Sequence, residues 1–166
     1  MKSAHNERLA HKMSELDNYD KRILGHLQQD ARLTNNELSE RVNLSASQCS
    51  RRRARLEEEG IISGYHAHLD RDNLKLSIVT IINVTLATHN RGNAKRFAAL
   101  ISDLPEVLEA HALTGEMDYF IKVVSPDLNG LRQFVNDVLL PHESVQHVKT
   151  SIVLETLKET SALPVQ

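Results

Sequence analysis

Two helix-start signatures in quick succession constrain this chain more than anything else in it. Thr34 is followed three residues later by Glu37, and Ser45 by Gln48. This is the capping-box spacing, in which a hydroxyl and a carboxylate or amide each satisfy a free backbone N–H at a helix start. Between the signatures, Leu38 and Val42 share a helical face, and Asn43 tolerates the left-handed conformation of a tight turn. Upstream, Asp17 stands where an N-cap belongs, and Ile23, Leu24 and Leu27 give a helix stopping near Asp30 its apolar face. The pattern predicts three short helices, the last two joined by a turn of three or four residues, which is a helix-turn-helix.

The helix opened by Ser45 reads SASQCSRRRARLEEEG to Gly60. On a helix Gln48, Arg51, Arg52 and Arg55 fall at i, i+3, i+4 and i+7, while Cys49 and Leu56 mark the core-facing stripe. Arg pairs bidentately with guanine and Gln with adenine, and cations seat on phosphates, so this face suits the major groove of duplex DNA. Ser45, Ser47 and Ser50 are placed to donate to phosphates near the helix start. As a capping-box residue, however, Gln48 has its amide engaged. The plainer alternative is a solvated charged face with Arg53–Glu57 and Arg55–Glu59 as i,i+4 pairs. Glu57, Glu58 and Glu59 would repel phosphate, so the end carrying Arg51 and Arg52 is the one aimed at DNA. Arg53 falls between Cys49 and Leu56 on the inner stripe, and either its stem snorkels past the first helix or it adds a phosphate contact.

Global charge does not announce such a partner. The net charge of the 166 residues is −2, and it divides only mildly, +1 through Gly64 and −3 after it. A single Cys excludes an internal disulfide and a Cys-based zinc site, and fits a reducing compartment. MKSAHNERLAHKM lacks a signal-peptide run and no stretch is apolar enough to span a bilayer, so the expected location is the cytoplasm. His66 and His68 would share one side of a strand, but no third ligand stands near them, and no metal or cofactor is expected.

From residue 76 the periodicity changes. LSIVTIINVTLAT alternates and is β-branched, the mark of a strand. Ala94 to Leu104 has helical spacing, Val107 to Thr114 and Tyr119 to Val124 are strands flanking a GEMD turn, Leu128 to Leu140 is a helix, and Val145 to Leu157 a final strand. The order βαββαβ is that of a ferredoxin-like sandwich with helices on one face of an antiparallel sheet. The other face needs a cover, for which a second copy is the expected candidate. The fold class is therefore α+β: a loose arm over 1–15, a winged-type helix-turn-helix over 16–60, a hinge strand or linker over 61–75, a ferredoxin-like domain over 76–158 and a tail over 159–166.

Leu16, Asp17, Asp20, Ile23, Leu24, Leu27, Arg32, the run ELSERVNLS, Cys49, Arg52, RLEEEGIISGYHAHLD, TGEMDYFIKV and SIVLETLK occur in order. Across residues 16 to 158 they resemble the Lrp/AsnC family of transcriptional regulators. The resemblance implies a DNA-binding domain, a hinge and a C-terminal domain that senses amino acids, in dimers that commonly assemble into octamers and bend DNA. It further implies an effector site at Thr114, Gly115, Glu116, Met117, Asp118 and Tyr119, the family's G-x-x-D-Y turn, with Thr150 and Ser151 near the pocket. Glycine permits close approach, turn N–H groups can hold a carboxylate, and Asp118 can pair with an α-ammonium; the plainer alternative is a good hairpin turn. Arg53, Ser39 and Asn43 depart from the family's usual residues. The expectation is a sequence-specific, nucleoid-associated regulator answering to an amino acid, against the alternative of an architectural DNA-bending protein without an effector. An enzyme is not expected, because His111, Asp118 and Cys49 are scattered in no triad spacing.

Overall fold

Three reciprocal caps start three helices. In the computed structural model, which describes residues 15–88 and 90–165, Asp17 caps α1 (Asn18–Gln29), Thr34 caps α2 (Asn35–Val42) and Ser45 caps α3 (Ala46–Glu58). Each is a full capping box, closed by Asp20, Glu37 and Gln48. Asn43 ends α2 in the left-handed region at φ 58°. Gly60, at φ 71°, follows α3, and Ile62 N–H returns to Leu56 O at 3.0 Å. Ile23, Leu24, Leu27, Leu33, Leu38, Val42, Cys49 and Leu56 form one core. At about 1.5–3 kcal/mol per large buried side chain, that core rather than helix propensity holds these short helices.

The chain divides into two units, 1–67 with 159–166, and 68–158. The expected arm lies almost entirely outside the described residues. Residues 61–75 form turns and extended backbone without strand pairing. Its backbone bonds close locally instead, Ile62 N–H on Leu56 O, Leu74 N–H on Asp70 O and Lys75 N–H on Asp72 O, so of the expected hinge strand or linker no strand ladder forms among the described residues.

The second unit is an antiparallel sheet of β1 (Ile78–Leu86), β2 (Val107–Ala112), β3 (Tyr119–Ser125) and β4 (Val145–Ile152) in the order β2-β3-β1-β4. The helix α4 (Arg91–Ser102), capped by Asn90, and α5 (Leu128–Gln133), capped by Asp127, connect the strands. This is the expected ferredoxin-like order. Ile82, Val84, Leu86, Ile121 and Val123 meet Phe97, Ile101, Leu131, Phe134 and Leu139 in the core. Against the sequence reading, α4 runs Arg91–Ser102 rather than Ala94–Leu104 and β2 ends at Ala112 rather than Thr114, and two further differences have a physical cause. The last helix changes to π geometry over Phe134–Leu139, with Leu140 N–H on Val135 O at 2.9 Å. The wider turn brings Leu139 to the buried side with Phe134, five positions earlier. β4 ends at Ile152 rather than Leu157, because Ile152 pairs with Thr80 and its partner strand begins only at Ile78.

Candidate nucleic-acid interface and effector turn

The apolar stripe of α1 contains one carboxylate. Asp20 precedes Ile23, Leu24 and Leu27 by three, four and seven residues, and it is buried with them at 0% exposure. An uncompensated buried charge is costly, so it draws partners from α3. Asp20 Oδ1 accepts from Arg52 Nη1 at 2.8 Å, and Oδ2 accepts from Arg55 Nη2 at 2.6 Å. Arg52 Nη1 also donates to Asp17 at 2.7 Å, and its guanidinium lies 5.5 Å from the Tyr19 ring centre. Bonding to Asp20 pushes the Arg52 pKa up, and the Asp20 backbone N–H holds the Asp17 carboxyl below its ordinary value. Two arginines and two carboxylates thus cancel. Docking of α3 on α1 is partly this ion cluster.

The cluster decides which residues of α3 stand clear. Ser47, Ser50, Arg51 and Ala54 are exposed and fall at i, i+3, i+4 and i+7, with exposed Gln48 beside them. Arg52 and Arg55 lie half-buried on the flank facing α1. Ser45 and Gln48 are spent partly on the cap: Ser45 Oγ accepts from Gln48 N–H at 3.2 Å, and Gln48 Oε1 accepts from Ser45 N–H at 3.0 Å. The Gln48 Nε2 amide takes no part in those bonds, and the residue is exposed, so a donor remains available there. Arg51 has no ion pair among the described residues, whereas Arg53 has a full set of contacts. Arg53 Nη1 donates to Leu33 O at 3.0 Å, Nε to Tyr65 Oη at 2.9 Å and to Glu57 at 3.2 Å, and the guanidinium sits 4.8 Å from the Tyr65 ring centre. Neither reading of Arg53 from sequence described this. It fastens the end of α3 to the loop before α2 and to Tyr65. The Tyr65 hydroxyl donates to Glu57 at 2.7 Å and thereby lowers the Glu57 pKa.

In the second unit the β2–β3 turn contains Thr114, Gly115, Glu116, Met117 and Asp118, with Gly115 at φ 127°, where a side chain is strained. Asp118 closes it. Its N–H donates to Val84 O at 3.0 Å, its carbonyl accepts from Leu113 N–H at 2.8 Å, and its Oδ2 accepts from Leu86 N–H at 2.7 Å. Thr85 Oγ1 meets Met117 Sδ at 3.2 Å, and Tyr119 packs on Phe97 with ring centres 4.8 Å apart. Thr114, Gly115 and Glu116 are exposed. Thr150 and Ser151 are exposed on β4, opposite Ile82 and Ile81, whereas Tyr119 is opposite Val84. From Tyr119 to Thr150 is two strands across and two residues along, roughly 12 Å. One chain therefore does not bring Thr150 and Ser151 to the turn. His66 and His68 are exposed in the linker.

Sequence reasoning placed Asp20 and Tyr65 among the residues of the family resemblance but gave neither a role. The signal for Asp20 was present, a lone carboxylate at a core position of an otherwise apolar stripe. Tyr65 left none, since its partner Arg53 is twelve residues away across a turn.

Known proteins answer to the same description. A family model described as Winged helix-turn-helix DNA-binding matches residues 16–63, and one described as Lrp/AsnC ligand binding domain matches residues 79–163. The leucine-responsive regulatory proteins of Escherichia coli and Salmonella typhimurium are each 36% identical to the chain over 155 residues, 92% of this chain and 93% of theirs. Among solved structures, a transcriptional regulator from Neisseria meningitidis in complex with L-Met superposes with a TM-score of 0.87 at 43% identity, covering 90% of this chain and 96% of that one. An AsnC family transcriptional regulator from Agrobacterium tumefaciens gives 0.85 at 31% identity, covering 90% and 97%. No helix among the described residues is long and apolar enough to cross a membrane. A helix-turn-helix that frees one face of α3, followed by a ligand-binding domain, is thus matched over nearly the whole chain by transcriptional regulators, and the chain belongs to the Lrp/AsnC family of DNA-binding transcriptional regulators.

Proposed function

We propose that α3 reads duplex DNA in the major groove through Ser47, Gln48, Ser50 and Arg51. The observation that carries this reading is the rotation of the exposed stripe by the Asp17–Asp20–Arg52–Arg55 cluster, which leaves those side chains outward. Arg51, the α3 arginine without an ion pair among the described residues, serves a guanine edge or a phosphate, Gln48 Nε2 is a base donor, and the serines serve phosphates. Ala54, exposed at the far end of the stripe, is small enough to meet a thymine methyl. Arg52 and Arg55 set the pose of the helix and reach phosphate only from its flank, and Ser45 acts through the cap.

The effector is an amino acid held at Thr114–Tyr119, with Thr150 and Ser151 of an adjoining subunit completing the pocket. Three features support this: the exposed glycine turn, the roughly 12 Å gap within one chain, and the L-Met complex of the Neisseria relative. The sheet face away from the helices carries Asn83, His111, Phe120, Lys122 and Lys149, and a second copy's sheet is its cover, giving a homodimer that assembles further, to an octamer, in the cytoplasm at the nucleoid. The domains run 16–60, 61–75 and 76–158, as the periodicity of the sequence sets them.

Two measurements test the reading. In anisotropy titrations on a duplex selected from a random pool, Gln48→Ala and Arg51→Ala each weaken binding by about 1–3 kcal/mol; unchanged affinity for both removes α3 from the interface. A thermal-shift screen of the twenty amino acids raises the midpoint for at least one of them; no shift with any removes the amino-acid effector.

A further inference from the structure

The end of the chain does not stay with the domain it leaves. Residues 159–166 group with the helical unit, whereas Lys158 belongs to the sheet unit. The attachment is specific. Gln28, exposed near the end of α1, donates from Nε2 to Leu163 O at 3.1 Å and accepts at Oε1 from Leu163 N–H at 2.6 Å. One side-chain amide therefore takes both backbone groups of a single residue, as a neighbouring β-strand would. Val165 packs against the helical core. Leu163 itself is 74% exposed, so the recognition runs through its backbone rather than its side chain. Pro164 restricts Leu163 to extended backbone, which preorganises the segment for this contact. Ala162 N–H closes locally on Thr160 Oγ1 at 3.1 Å.

We propose that Glu159–Val165 is a strap and that the surface of α1 around Gln28, with the apolar patch under Val165, is its docking site. The helical unit is then tethered twice, through the linker after Ala67 and through the strap after Lys158. A single hydrogen-bonded residue and one apolar side chain form a weak site for a free peptide. On a tether, the effective concentration is on the order of millimolar, which keeps the strap engaged. Its consequence for DNA binding rests on the reading of α3 given above. A doubly tethered reading unit surrenders less freedom when it binds, so loss of the strap weakens DNA binding without touching α3.

Amide hydrogen exchange on the full chain tests the strap directly. The Leu163 amide is expected to exchange at least about tenfold slower than an unstructured amide. In Gln28→Ala, and independently in Val165→Asp, that protection disappears while the amides of Ile23 and Leu38 keep theirs. A Leu163 amide exchanging at the unstructured rate in the unmodified chain, or one whose protection survives both substitutions, overturns the strap. Affinity for a selected duplex is expected to fall at least about threefold in both variants; equal affinity with the strap lost overturns its functional role. If the unmodified chain binds no DNA, the reading of α3 fails while the exchange data still decide the strap.

Discussion

Arg51 and Arg52 are neighbours in sequence and in composition indistinguishable, yet replacing each should have a different effect. Arg52→Ala removes a bond of 2.8 Å to Asp20, a side chain 1% exposed, and one of 2.7 Å to the half-exposed Asp17. Removing one partner of a fully buried pair costs about 3–5 kcal/mol. Here Asp20 keeps Arg55, and Arg52 was itself 20% exposed, so the expected loss is smaller. About 2 kcal/mol is the expectation for charge-assisted bonds of this burial. In a unit this small, each kcal/mol moves the melting midpoint by about 4–8 °C, so circular dichroism should record a drop of roughly 8–16 °C. Arg51 is exposed and unpaired among the described residues, so Arg51→Ala should stay within about 0.5 kcal/mol of the unmodified chain. Its effect belongs to DNA: if Arg51 sits on a phosphate, the slope of log K against log salt should become shallower by about 0.9. The reasoning is refuted if Arg52→Ala melts normally and flattens the slope as Arg51→Ala does.

Other consequences are independent of that pair. Asp118→Ala should remove the acceptor of Leu86 N–H and loosen the hairpin by about 1–2 kcal/mol. Asp118→Asn keeps an acceptor and should lose only the amino-acid-dependent thermal shift; a normal shift in the Asn variant places the ammonium partner elsewhere. Burial pushes the Cys49 thiol up in pKa and shields it, so Ellman's reagent should label it only as the helical unit opens; full labelling at the rate of a free thiol counts against the core as described. Backbone N–H groups at the helix starts hold the Asp17 and Glu37 carboxyls below their ordinary values. Because these values are lowered in the folded state, the stabilisation is present above the ordinary carboxylate range and lost as pH falls through the lowered values. The midpoint of the helical unit should be level above about pH 5 and fall below about pH 4; a level midpoint down to pH 3 contradicts this.

The caps were legible because capping is local: Thr34, Glu37, Ser45, Gln48 and Asn43 lie within one turn of the groups they satisfy. The sheet order followed from β-branched alternation and the spacing of helices between strands. The orientation of α3 was not legible at one-residue precision. Helical spacing placed Gln48, Arg51, Arg52 and Arg55 on one face, but the buried Asp20 on another helix draws Arg52 and Arg55 inward and turns Ser47, Ser50, Arg51 and Ala54 outward. The α1 periodicity marks Asp20 as a carboxylate at a core position but does not say which cations it draws, and the bond between Gln28 and Leu163, 135 residues apart, leaves no periodic trace at all. The end of β4 was misplaced for a similar reason, since its apolar run continues after its partner strand has begun.

The central claim is that the exposed stripe of α3 reads sequence rather than charge. Anisotropy with a duplex selected from a random pool and with its shuffled counterpart, at one physiological salt concentration, tests it most directly. The selected duplex should bind tighter by a factor of at least about 1,000. Affinities for the two duplexes within a few-fold of each other contradict it.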